Sequence, residues 1–107
     1  MRIIARRTLR EFVDSRARHK DQLALKAAVN AWFSEVANAQ WQNMAEVKRR
    51  YATASVISSE RIVFNIKGND YRLVAAVDFE KAIVWIKWIG SHRDYDRIDV
   101  REVNHHD

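Results

Sequence analysis

The spacing of apolar residues changes partway along the chain. Up to residue 38 they recur every three or four positions, as on one face of a helix; from residue 54 they alternate or run in short blocks, as along strands. Ile3-Ile4 reads as a short first strand. Thr8-Leu9-Arg10-Glu11 follows, with Thr8 as an N-cap and Glu11 three residues later to close a capping box. Leu9, Phe12 and Val13 then recur at helical spacing, and the polar stretch 15–21 interrupts them. A second helix is predicted over 21–38, with a core-facing stripe of Leu23, Ala27, Val29 or Asn30, Phe33 and Val36 that Leu25 and Trp32 widen. Met44, Val47 and Tyr51 suit a short helix after Trp41, capped by Asn43 and left strongly basic by Lys48-Arg49-Arg50.

The second half is predicted to be strands over 54–57, 61–67, 71–78 and 82–89, all rich in Val, Ile, Phe, Tyr and Trp. The connectors between them are short and polar. Such connectors join antiparallel neighbours, because a parallel crossover needs a dozen residues or more. The expected fold is α+β: N-terminal helices packed on one face of a small antiparallel sheet, in a single domain spanning 1–107. No internal repeat and no low-complexity tract interrupts it.

Composition narrows the function. With 107 residues, 48% of them hydrophobic, the chain suits one compact core. The opening turns charged at Arg6-Arg7 before a signal sequence can build up, and no apolar run is long enough to span a bilayer, so a cytoplasmic protein without membrane contact is expected. There is no cysteine, which excludes disulfides, thiolate catalysis and Cys-based zinc sites. Nineteen Lys and Arg against 14 Asp and Glu give a net charge of +5, a field that favours polyanionic partners such as nucleic acid.

Two stretches carry candidate chemistry. In the predicted hairpin 61–73, Ile62, Phe64 and Ile66 share one face while Arg61, Val63, Asn65 and Lys67 share the other, and Gly68-Asn69 reverses the chain because both tolerate positive φ. The returning strand puts Tyr71 and Leu73 on one face, and Asp70, Arg72 and Val74 on the other. In the stretch 85–97, Trp85 and Lys87 alternate with Ile86 and Trp88, so Lys87 is expected to project from the sheet. Gly90 then lets the chain turn, and His92, Arg93, Tyr95 and Asp96 fall just past the strand end. Cleavage of RNA by its own 2′-hydroxyl needs a base for that hydroxyl, an acid for the leaving 5′-oxygen, and positive charge near the phosphorane. A His, a Tyr and cations within a few residues supply all three, and His92 suits either proton role. The competing reading is a hairpin with a solvated polar face and a loop histidine of no special role. His105 and His106 read as a frayed tail. His19, His92, His105 and His106 lack ligand spacing with carboxylates outside that tail, so no metal site and no cofactor are expected.

At these residues the sequence resembles the HigB-type toxins of type II toxin–antitoxin systems, in the Escherichia coli HigB branch of the RelE-like superfamily. The likeness runs through Met1-Arg2-Ile3-Ile4, Thr8-Leu9-Arg10-Glu11-Phe12, Trp32-Phe33-Ser34-Glu35-Val36, Ala39-Gln40-Trp41 and Met44-Ala45-Glu46-Val47-Lys48. It is strongest in Arg61-Ile62-Val63-Phe64-Asn65-Ile66-Lys67-Gly68-Asn69-Asp70-Tyr71-Arg72-Leu73 and in Ile89-Gly90-Ser91-His92-Arg93-Asp94-Tyr95-Asp96. The resemblance implies a metal-independent endoribonuclease that cuts mRNA on the ribosome and inhibits translation. It implies a helix-turn-helix, HigA-like antitoxin as partner, and operator DNA bound through their complex. It points to His92 and Tyr95 for proton transfer and to Lys67, Arg72 and Lys87 for phosphate. Lys48, Arg49, Asn69, Tyr71 and Arg93 are then expected to contact RNA, although Asn69 also suits the turn and Tyr71 the core. Two alternatives stand beside this: a RelE-fold toxin acting on DNA gyrase, and a non-catalytic RNA-binding module.

Overall fold

A computed structural model of the protein describes residues 1–104, so His105 and His106 lie outside the described residues. Nine elements follow in order: β1 (Arg2–Ile4), α1 (Arg6–Ser15), α2 (Gln22–Asn38), α3 (Met44–Arg50), β2 (Ser55–Val56), β3 (Arg61–Ile66), β4 (Tyr71–Asp78), β5 (Ile83–Ser91) and α4 (His92–Tyr95). The strands form one sheet in the order β1-β5-β4-β3-β2. From β2 to β5 each strand pairs antiparallel with the next, as their short connectors require. β1 instead runs parallel to β5, with Ile3 opposite Val84. The α+β architecture expected from the apolar periods is therefore the one observed.

The core lies between the helices and one face of the sheet. Leu9 and Val13 of α1, and Leu25, Val29, Trp32 and Val36 of α2, pack with Ile62, Phe64 and Ile66 of β3, with Tyr71, Leu73, Ala75 and Val77 of β4, and with Val84, Ile86 and Ile89 of β5. Trp32 meets Phe64 edge-on at 5.2 Å, and Tyr51 meets the same ring at 5.0 Å. α3 adds Val47, and its start is as expected: the Asn43 side chain accepts from the Glu46 N–H at 3.0 Å.

Several local expectations are corrected. α1 begins a turn earlier than the Thr8 cap implies; Ala5 takes the N-cap position, Thr8 is buried, and Glu11 pairs with Arg7 at 2.9 Å instead of closing a capping box. In α2, Leu25, Val29, Trp32 and Val36 are buried, whereas Leu23 is 78% exposed. Helical phase decides this. Residues 25, 29, 32 and 36 step by three and four along one line, and position 23 falls off it.

The largest correction concerns β5. Val74 lies opposite Trp88 and Ala75 opposite Ile86, leaving Lys87 as an extra residue in the ladder, a β-bulge. Ile86 and Ile89 both face the helices, so the two residues between them, Lys87 and Trp88, both belong to the other face of the sheet. Trp88 is thus not the core partner of Ile86 that simple alternation predicts.

Candidate functional site

The β3–β4 hairpin places polar groups on both faces of the sheet at one end, because its turn breaks the strand alternation. Lys67 and Gly68 take positive φ (54° and 64°), so the left-handed pair is Lys67-Gly68 and not Gly68-Asn69. With β3 ended at Ile66, Lys67 leaves the face of Arg61, Val63 and Asn65 and swings toward the helices.

On the helix side its ammonium lies 2.8 Å from Asp70 and 3.8 Å from Asp21, which stands in the turn before α2. The Tyr71 ring is buried in the core, and its hydroxyl donates to Asp21 Oδ2 at 2.7 Å while accepting from the Arg16 guanidinium at 3.0 Å. His19 pairs with the other Asp21 oxygen. These contacts set the electrostatics. The bond from Tyr71, then the neighbouring His19 and Lys67 charges, hold the Asp21 carboxyl below the usual carboxylate value against some cost of burial. Burial first, and the bond to Asp21 second, push the Tyr71 phenol up. The bond to Asp70 pushes the Lys67 ammonium up. Lys67 and Tyr71 thus tie the hairpin to the α1–α2 turn.

On the open face Asn65, Arg72 and Gly90 share one rung, and Val63, Val74 and Trp88 share the next. The Arg72 guanidinium donates to the Asn69 carbonyl at 2.8 Å and sits 5.9 Å from the centre of the Tyr95 ring. Its neighbours pin it in place without neutralising its charge. Tyr95 lies 6.2 Å from Trp88, tilted by 54°. The Trp88 ring lies across Gly90, where an added Cβ would stand 2.3 Å from Cη2 and 2.4 Å from Cζ2. Among the described residues Arg72, Lys87 and Arg93 make no ion pair.

α4 starts at this same end. The Ser91 side chain caps it by accepting from the Asp94 N–H at 3.1 Å, and the His92 N–H donates to the Asp70 carbonyl at 2.9 Å. The hairpin turn therefore sets where α4 begins. His92 and Arg93 are exposed, and Tyr95 is half-buried against Trp88.

Of the expected site residues, the fold brings Arg72, His92, Arg93 and Tyr95 to one end of the sheet, while Lys87 stands at the middle of β5 on the same open face. Asn69 is exposed in the adjoining turn, where its carbonyl anchors Arg72. Lys67 and Tyr71 are on the opposite face, each engaged by a carboxylate. Lys48 and Arg49 stand apart, since α3 packs on the helix side through Val47. The Lys48 ammonium is bound to the carbonyls of Ala52 (2.7 Å) and Ala54, and Arg49 is exposed. Alternation overlooked Asp21 and Trp88. For Trp88 a signal was present: the apolar series Val84, Ile86, Ile89 breaks its own period at 87–88, and a glycine follows two residues after the indole.

A family model described as HigB_toxin, RelE-like toxic component of a toxin–antitoxin system, matches residues 25–98. That stretch runs from α2 through the whole hairpin and past α4. No curated protein matches the chain.

Proposed function

Because the chain belongs to the HigB toxin family, the RelE-like toxic components of toxin–antitoxin systems, we propose that it poisons translation by cutting mRNA on the ribosome in the cytoplasm. One observation carries this reading. Arg72 and Lys87 on the open face, and Arg93 in α4, make no ion pair among the described residues, and Arg72 lies beside Tyr95 of the short helix that His92 begins.

The RNA's own 2′-hydroxyl is the nucleophile. His92 and Tyr95 are the two groups able to take its proton and to return one to the leaving 5′-oxygen. The P–O5′ bond breaks as the O2′–P bond forms, leaving a 2′,3′-cyclic phosphate and a 5′-hydroxyl, with no metal-bound water required. Arg72 and Lys87 stabilise the charge that gathers on the phosphorane. Lys67 would have to leave Asp70 and Asp21 and cross from the helix side to join them. The family implies an antitoxin partner; we take it to be a HigA-like helix-turn-helix protein through which the complex reaches operator DNA.

The test is cleavage of mRNA on purified ribosomes by the protein and by His92→Gln, Tyr95→Phe and Lys87→Ala. Loss of a proton-transfer group should slow cleavage by roughly 10² to 10⁴ while ribosome binding survives. Products with 5′-phosphate ends would sink the 2′-hydroxyl mechanism in favour of activated water. If all three variants remain folded and fully toxic, the site is elsewhere, and DNA gyrase becomes the target to examine.

A further inference from the structure

Two indoles, Trp85 and Trp88, lie on the open face outside the core, and of these Trp88 stands beside Tyr95. We propose that Trp88, with Tyr95 and Arg72 beside it, is a stacking platform for a nucleobase of single-stranded RNA, which seats the strand next to His92. This rests on the ribonuclease reading and adds to it the recognition of an unpaired base.

Four observations point the same way. The bulge at Lys87 moves Trp88 off the helix-facing side, where an indole would add to the core, onto the open face, where it is half-buried. Gly90 provides a seat that no other residue could, because any Cβ there would overlap the six-membered ring. The indole is thus held in a set orientation. Tyr95 at 6.2 Å and the Arg72 guanidinium over Tyr95 at 5.9 Å continue the surface with a second ring and a planar cation. Both are groups on which bases stack. Lys87, next to Trp88 on the same face, and Arg93 supply charge for the flanking phosphates, and neither is ion-paired among the described residues. An apolar protein partner would have no use for cations such as Arg72 and Lys87, which make no ion pair among the described residues, so the charge favours RNA as the occupant.

Indole fluorescence reads stacking directly. The full-length protein is titrated with a six-nucleotide oligoadenylate and with an abasic oligonucleotide of the same length and charge. The expected result is quenching by oligoadenylate only, absent from Trp88→Phe, whose remaining indoles are Trp32, Trp41 and Trp85. Trp88→Leu should lose roughly 5- to 150-fold in oligoadenylate affinity, the worth of one stacked base, with an unchanged far-UV circular dichroism spectrum. Quenching that persists in Trp88→Phe, equal quenching by the abasic strand, or no quenching at all overturns the platform. So does a Trp88→Leu variant that binds RNA normally but no longer binds its antitoxin, which would give the surface to a protein. Cleavage of mRNA on ribosomes is measured in parallel. If the wild type cleaves and yet shows no stacking, the platform fails while the ribonuclease reading stands; if it does not cleave, the ribonuclease reading fails first.

Discussion

Removing one oxygen tests whether the polar knot behind the hairpin holds the fold. The Tyr71 ring is 1% exposed, and its hydroxyl links Asp21 (2.7 Å) to Arg16 (3.0 Å). Tyr71→Phe keeps the ring and its edge-on contact with Phe12 at 5.8 Å, but leaves a carboxylate and a guanidinium facing a gap. A hydrogen bond to a charged group is worth about 1.5–3 kcal/mol. Asp21 and Arg16 are both partly exposed, so about 2 kcal/mol is expected in total rather than the sum of two such bonds. At about 4–8 °C per kcal/mol for a domain near this size, the melting temperature should fall by roughly 8–16 °C. The pH dependence follows from the same contacts. The Asp21 pKa is lowered in the folded state, so its contribution is complete above its unfolded value of about 3.9 and is lost as pH falls through the folded value. The pKa values of Tyr71 and Lys67 are raised, so their contributions are complete below about pH 10 and are lost as pH rises through the folded values. Urea unfolding followed by indole fluorescence across this range should show both losses in the wild type, and Tyr71→Phe should weaken the acid one. Paired with Asp21→Asn, the double variant should lose less than the sum of the single ones. A Tyr71→Phe protein within about 0.5 kcal/mol of wild type, or strictly additive variants, would refute the reasoning.

Three further substitutions test other elements. Asn43→Ala removes the cap of α3 and should cost about 1 kcal/mol in chemical denaturation. Gly90→Ala pushes the Trp88 ring off its seat; it should cost about 1–3 kcal/mol and alter the near-UV circular dichroism of the Trp88–Tyr95 pair. Leu23→Lys should stay within about 0.5 kcal/mol of wild type by melting, since Leu23 touches water and not the core.

What could be read in the sequence was whatever depends on local period. α2, the Asn43 cap, the three longer strands and the antiparallel hairpins all follow from spacing and from connectors too short for anything else. The errors share a cause, which is that a change of phase is decided by a partner strand or by packing. Alternation through 82–89 could not say that Lys87 would be squeezed out of the ladder, because the bulge exists only against Val74 and Ala75. Thr8 offered a good cap locally, but burial of its side chain favoured a helix that begins at Arg6. At the site, Arg72, His92 and Tyr95 were legible as a group because the turn and the strand end lie at the same edge of the sheet. Lys67 was misplaced because its positive φ reverses the direction that strand parity implies. Lys48 and Arg49 formed an obvious basic run, yet nothing local could tell that α3 packs on the far side of the sheet.

Synthesis proceeds from β1 to β5, and these two strands are neighbours in the finished sheet. The first strand therefore waits, unpaired, for nearly every other element to be made. Lys87, Trp88, His92 and Tyr95 all lie on β5 or beyond it, so a chain stopped short of β5 lacks both a partner for β1 and the groups that would act on RNA. If the protein cuts mRNA on the ribosome, as proposed, this order is protective. Copies cut short before β5 would then lack His92 and Tyr95, and an antitoxin would have only finished molecules to restrain.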